Sequence, residues 1–306
     1  MESGYERMKK QSSLKGNMLI LTTALLWSTA GMLVKSIPWS PFTIASIRGL
    51  IATLSLLGLR QLKRKSGNYA PIRFTKHNIA AGVAMFLTSS LFLASNKLTT
   101  AANAIVLQYI SPILILLYTA VVKKRKPSKV EILLTAIVFL GCVLAFSDKL
   151  GGNGTLGDIL ALLSGVTFAA LILISRMEKT QAEDGQIIGC GLSFICCLPF
   201  MLTDATLSFT VESVGAMLCL GLFQYSLANF LFAKGVKLTE PTSASIILVM
   251  EPIMSPVWVF LARGEAPGVR ALLGFVMVIA AVTLHSLLPF IMRKARPGDV
   301  QSAAEG

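Results

Sequence analysis

The 306-residue chain is 54% hydrophobic and only 14% charged, with a mean hydropathy of +0.70. A soluble domain carries about 25% charged residues, so an ordinary soluble fold is excluded and an integral membrane protein is indicated. The net charge of +13 does not point to nucleic acid, because the 28 lysines and arginines sit between apolar runs rather than on one soluble face.

The chain opens like a signal peptide, with Arg7, Lys9, Lys10 and Lys15, an apolar run, and then Ser28-Thr29-Ala30. The apolar run continues to Ile37, which is too long for a cleavable segment, so it is read as a retained span. Apolar runs then follow at 17–37, 41–59, 77–95, 101–122, 130–146, 156–175, 186–202, 214–233, 241–262 and 269–291. Each has about the length that crosses a bilayer. The fold class expected is therefore an all-α membrane protein of ten transmembrane helices, arranged as two inverted five-helix repeats. The bounds expected are an inner segment 1–16, a first repeat 17–147, an outer link 148–155, a second repeat 156–292 and an inner tail 293–306. Five crossings per half make the halves run in opposite senses, as in many secondary transporters.

The basic residues set the orientation. Placing the N-terminus inside puts 22 of the 28 lysines and arginines in inner segments. Lys35, Lys97, Lys149, Arg263 and Arg270 fall outside, and Arg48 lies within a span. Both termini are thus expected in the cytoplasm, in a plasma or inner membrane. The five cysteines, Cys142, Cys190, Cys196, Cys197 and Cys219, sit in apolar runs without metal-ligand spacing. No metal and no cofactor is expected.

The organising feature is a duplication. Residues 238–262, LTEPTSASIILVMEPIMSPVWVFLA, align without a gap on 98–122, LTTAANAIVLQYISPILILLYTAVV, at an offset of 140. Pro112 falls on Pro252, Ser111 on Glu251 and Tyr118 on Trp258. At an offset of 141, Trp27 meets Phe168 and Lys35 meets Arg176.

Glu251 is the sharpest candidate for chemistry. A carboxylate in mid-membrane costs about 2.5–3.5 kcal/mol on insertion scales, so it requires a partner or a wet cavity. Pro252 frees the carbonyl of Leu248, and Pro256 breaks the ladder again four residues on. A kinked helix with bare carbonyls beside an acid can hold a proton, a cation or an amine; the other reading is a structural tie to a neighbouring helix. In the first half, Pro112 frees the carbonyl of Gln108, and Gln108 and Tyr109 add neutral polar groups. Arg48 either pairs with an acid such as Glu251, binds a substrate carboxylate or snorkels to the surface. Trp27 stands mid-span, as core packing or as a cavity wall. Gln224, Tyr225 and Asn229 are interhelical glue or cavity lining. His285 reads as a packing histidine, and Gly185 with Gly189 as a close helix contact. No G-x-x-x-x-G-K-[ST], H-E-x-x-H or G-x-S-x-G motif occurs, and the chain is not expected to be an enzyme.

The segments ALLWSTAGMLVK (24–35), IASIRG (44–49), LTTAANAIVLQYISPI (98–113), LTEPTSASIILVMEPI (238–253) and Gly264-Glu265 resemble the EamA family of the drug/metabolite transporter superfamily. The resemblance covers nearly the whole chain. It implies ten helices, a cavity between the halves, and export of amino acids, related metabolites or toxic compounds, often driven by an ion gradient. Carried over by position, Trp27, Gln108, Tyr109, Asn229, Glu251 and Trp258 are the cavity candidates, with Glu251 as the proton or cation site. One departure is Lys124-Arg125, which stands where the family often has a second Gly-Glu pair. Uptake or exchange on the same fold is the nearest alternative, and a lipid-acting membrane enzyme is a more distant one. The partners expected are a small-molecule substrate and the bilayer, without nucleic acid, and a homodimer is an open option.

Overall fold

The computed structural model describes residues 2–65, 71–99, 101–147, 154–263 and 268–294, and most side chains between Leu14 and His285. The glycine-rich link, Gly264-Glu265, the final tail and the side chain of Pro256 lie outside the described residues. The described residues are mostly helical and form no strand. The helices are α1 (Glu2–Ser28), α2 (Ala30–Lys35), α3 (Pro41–Lys65), α4 (Lys76–Leu98), α5 (Ala101–Gln108), α6 (Ser111–Val121), α7 (Lys129–Phe146), α8 (Thr155–Arg176) and α9 (Ala182–Leu202). Then come α10 (Val211–Cys219), a π-helical segment (Leu220–Leu227), α11 (Ala228–Leu238), α12 (Pro241–Leu248), α13 (Met250–Arg263) and α14 (Val269–Lys294).

Among the described residues, eight helical stretches are long and apolar enough to cross a membrane, from Leu14–Val34 to Val211–Leu238, and Val269–His285 is a shorter apolar helix. The run expected at 241–262 is not one of the eight. It is split at Val249 into α12 and α13, and it carries Glu251. Elsewhere local chemistry explains the boundaries. Ser128 and Glu131 form a reciprocal capping box that starts α7, as Thr210 and Ser213 do for α10. Ser28 and Thr29 donate their hydroxyls to the carbonyls of Leu25 and Leu26, at 2.6 and 2.8 Å, where α1 gives way to α2. Such back-bonding competes with the helix ladder.

Helix packing comes in matched pairs. Helix α1 packs on α11, α12 and α13; α8 packs on α4, α5 and α6. The remaining large contacts join α9 to α3 and α4, and α7 to α14, each pair with one helix from each half of the sequence. The glycines mark the same pairing. A Cβ on Gly16 would collide with Leu238 and Thr239, and one on Gly157 with Leu98 and Thr99. These two contacts are related by the 140- and 141-residue offsets of the duplication. Gly185 and Gly189 lie against Ala81, Gly82 and Met85 of α4, where small residues let two backbones approach.

The exterior is apolar, unlike that of a water-soluble protein, and polar residues are mixed into the buried core. Leu54, Leu140, Leu163 and Val276 are exposed, as lipid-facing side chains must be. Ser46, Thr88, Gln108, Ser164, Gln186, Ser193, Gln224 and Asn229 are buried. Helices in lipid gain little from packing leucine against leucine, so small and polar residues collect between them.

Candidate functional site

Two chain breaks build the site. The first, at Tyr109 and Ile110, separates α5 from α6; the second, at Val249, separates α12 from α13. They fall at equivalent positions of the duplication. Pro112 and Pro252 follow at once, each in the first turn of the resuming helix, where a missing N–H is no loss. The carbonyl of Leu248, which Pro252 leaves without its helical donor, accepts the Tyr109 hydroxyl at 3.3 Å. The same hydroxyl lies 2.9 Å from Glu251 Oε2. A hydrogen bond to a charged group contributes about 1.5–3 kcal/mol. That is of the size of the membrane penalty of the carboxylate, about 2.5–3.5 kcal/mol.

Glu251 borders a cavity of about 160 Å³ lined by Trp27, Ala30, Arg48, Met85, Thr88, Ser89, Phe92, Gln108, Phe168, Leu171, Gln186, Gln224, Tyr225 and Asn229. Trp27 forms an aromatic wall, its ring centroid 5.5 Å from that of Phe232 and 6.4 Å from that of Phe168. Gln108 lines the cavity while its amide donates to Ser164 Oγ at 2.7 Å. Gln224 donates to the Trp27 carbonyl at 3.3 Å. Asn229 directs its amide NH₂ at Cys190 Sγ, 3.7 Å away.

Arg48 is not ion-paired with Glu251. Its Nη2 donates to Ser89 Oγ at 3.0 Å, and the guanidinium lies 4.0 Å over the Tyr225 ring. Among the described residues its Nε has no hydrogen-bond partner. The same is true of both amide atoms of Gln186, of Gln224 Oε1 and of Asn229 Oδ1. Buried polar groups are ordinarily paired, so open groups gathered at one cavity mark where a polar solute or water fits.

Two expected residues lie off the cavity wall. Trp258 ties α13 to α1 by donating to Ser28 Oγ at 2.7 Å. Tyr109 stands behind Glu251, with its ring edge-on to Phe168 at 6.3 Å. His285 is bonded to Ser243 Oγ at 2.8 Å, away from the cavity. Residues the sequence reading passed over include Gln186, Ser89 and the π-helical segment that carries Gln224 and Tyr225. Gln186 was legible only as an amide at the edge of an apolar run, and the π segment has no local signature. Wide turns of this kind favour functional sites.

The two ends of the bundle differ. At the lysine- and arginine-rich end a vestibule of about 1010 Å³ is lined by Lys15, Arg60, Arg176, Lys234 and Lys237 together with Glu178, Glu183 and Asp184. A constriction of about 10 Å³ between Leu56, Leu59, Ile187 and Phe230 adjoins it. The constriction shares Arg60 and Glu183 with the vestibule and Gln186 with the central cavity. Asp184 is bonded there by Arg60 and by the amides of Arg73 and Asn78. At the opposite end Asp204 accepts from Thr43 Oγ1 and the Ser40 amide, and Trp39 Nε1 donates to the Ser208 carbonyl at 2.6 Å. Phe42 stacks on Phe200, with centroids 4.8 Å apart, so several contacts tie the start of α3 to the end of α9 here.

The EamA-like transporter family model matches residues 14–147 and again 155–287. The chain is 28% identical over 289 residues to the "Uncharacterized transporter YwfM" of Bacillus subtilis (strain 168), covering 90% of this chain and 96% of that one. It is 27% identical over 299 residues to the "Uncharacterized inner membrane transporter YicL" of Salmonella typhimurium, with the same coverages of 90% and 96%. A chain of known crystal structure superposes with a TM-score of 0.76 at 17% identity, covering 90% of this chain and 98% of that one, which shows the fold alone. The protein belongs to the EamA-like transporter family and is a multi-pass membrane transporter.

Proposed function

We propose that this family member is a secondary transporter that exports small metabolites, amino acids or toxic compounds by alternating access, with Glu251 as its proton-coupling group. Ten spans in two inverted halves would rock about the central cavity, with both termini cytoplasmic. The matched packing of α1 and α8, and the paired contacts of Gly16 and Gly157, support the inverted repeat. The observation that carries the reading is a polar cavity in an apolar bundle, bordered by an acid at a helix break. Intramembrane acids facing a cavity mark ion and substrate paths. The basic vestibule supports a state open toward the cytoplasm and closed by the Asp204 clasp on the other side, from which a cytoplasmic solute loads. A lipid-acting enzyme has less support, because among the described residues Glu251 has no second carboxylate, histidine or serine within hydrogen-bond reach.

The test is Glu251→Gln in proteoliposomes. Flux is expected to lose its dependence on a proton gradient. Undiminished flux that still follows pH would remove Glu251 from the coupling role.

A further inference from the structure

We infer that the central cavity takes a small carboxylate, anchored by Arg48 and Gln186, and that this carboxylate crosses the membrane together with a proton carried on Glu251. The inference rests on the transporter reading above and adds to it the substrate class and the direction of coupling.

Unsatisfied bonding capacity lies along the cavity wall. Among the described residues Arg48 has an open Nε, and its guanidinium contacts Ser89 and the Tyr225 ring. Gln186 is 1% exposed, with its amide NH₂ and its carbonyl both open. Glu251 already holds the Tyr109 hydroxyl at 2.9 Å. What Arg48 lacks is a negative acceptor within bonding reach, since Glu251 on the same cavity is bonded to Tyr109 instead. A guanidinium held in hydrocarbon without a bonded counter-charge is costly. A carboxylate supplies both the charge and two planar oxygens that match the guanidinium fork. The open oxygens of Gln224 and Asn229 then take a hydroxyl or amine elsewhere on the same solute.

Charge counting gives the coupling. Among the described residues the cavity is lined by one fixed cation, Arg48, and one acid, Glu251. The other described titratable groups near them are Tyr225, Cys190 and Cys197 beside Arg48 and Tyr109 beside Glu251, with Cys142 behind Tyr109. Phenols and thiols are ordinarily uncharged near neutral pH. The empty cavity is electrically balanced when Glu251 is ionised. A bound carboxylate unbalances it unless Glu251 takes up a proton. In a poorly polarisable interior the balanced states dominate. They are the empty site with ionised Glu251 and the site loaded with carboxylate plus proton. Anion and proton therefore travel in the same direction, and the cycle moves no net charge for a monocarboxylate. A cationic substrate would instead compete with the proton at Glu251, giving opposite directions.

The experiment uses the full chain in nanodiscs and reads the rise in Tm with lactate, lactamide and alaninamide, in mildly acidic and mildly alkaline buffer. Lactate is expected to stabilise the wild type, binding on the order of tenfold more tightly in the acidic buffer. Lactamide should not stabilise it. Arg48→Gln should abolish the lactate effect and Arg48→Lys should restore part of it. Glu251→Gln, which carries a permanently neutral side chain, should bind lactate equally at both pH values. In vesicles loaded with a pH dye, a lactate gradient should move protons in the lactate direction without generating a membrane potential. Should the Arg48 variants fail to fold, the lactate–lactamide pair and Glu251→Gln still decide. Stabilisation by alaninamide rather than lactate, lactate binding unchanged in Arg48→Gln, tighter lactate binding in alkaline buffer, or no response to lactate each overturns the inference. A Glu251-dependent flux of alaninamide in that case would leave the transporter reading standing.

Discussion

The contact between Gly165 of α8 and the first helix break offers a quantitative check on the packing. A Cβ on Gly165 would lie 2.7 Å from the Gln108 carbonyl oxygen, 2.9 Å from Ile110 Cγ2 and 3.1 Å from the Leu107 carbonyl. Ordinary contact begins at 3.4 Å, so α8 must retreat by about 0.7 Å, and what it meets is backbone that cannot swing aside. Such overpacking costs about 1–3 kcal/mol. Removing a helical glycine returns about 0.8–1.0 kcal/mol, which hides part of that cost. Gly58 separates the two effects, because a Cβ there meets nothing within 4 Å. Gly58→Ala is expected to be neutral or slightly stabilising, and Gly165→Ala to unfold lower by on the order of 5 °C, taking roughly 2–4 °C per kcal/mol. The shifted break also displaces Gln108 and Tyr109, so transport by Gly165→Ala should fall about tenfold or more. Thermal unfolding in detergent and initial rates in proteoliposomes measure both. Equal Tm values for the two variants would refute the packing argument.

The clasp around Asp204 carries a second prediction. Hydrogen bonds from Thr206 and Thr43 hold its carboxyl well below the usual carboxylate range. A lowered group contributes stability above its ordinary pKa and loses it only as pH falls through the lowered one, so the clasp should be constant between about pH 5 and pH 8. Asp204→Ala should raise the labelling of a cysteine placed at position 30, in a background without native cysteines, from the side opposite the basic vestibule; unchanged labelling would count against a closed gate there. Trp258→Phe should lose about 1 kcal/mol with its bond to Ser28 while leaving the range of transported solutes unchanged, as read from Tm and competition assays.

Much of the architecture was visible in the chain because the bilayer imposes it. Apolar length marked the helices, and the Pro112 and Pro252 registers marked both breaks. The carbonyl that Pro252 frees was identifiable from backbone chemistry, and it is the one Tyr109 meets. Contacts between distant segments were harder to read. Trp258 and Trp27 are the same residue type, yet one bonds a serine on a neighbouring helix and the other walls the cavity. Which face of a helix turns inward depends on all its neighbours. Arg48 and Glu251 lie 203 positions apart in the chain. Their sharing a cavity without touching could not be inferred from either segment alone. The π segment widens one turn around Gln224 and Tyr225 through tertiary packing, which propensity does not report.

The duplicated breaks have diverged in chemistry while keeping their backbone. Ser111 and Glu251 occupy equivalent positions, and Ser111 is fully buried with an open hydroxyl. A second carboxylate there would set two acids at the breaks against the one arginine that lines the cavity among the described residues. With one acid the fixed charges of the cavity cancel. The tie across the breaks is equally one-sided. Tyr109, at the first break, reaches the carbonyl of Leu248 and the carboxyl of Glu251 at the second. Its equivalent, Val249, has no hydroxyl to return the bond. Under the proposed mechanism any displacement of one break against the other strains the Tyr109–Glu251 contact, so the protonation of Glu251 and the relative motion of the halves act on the same few atoms.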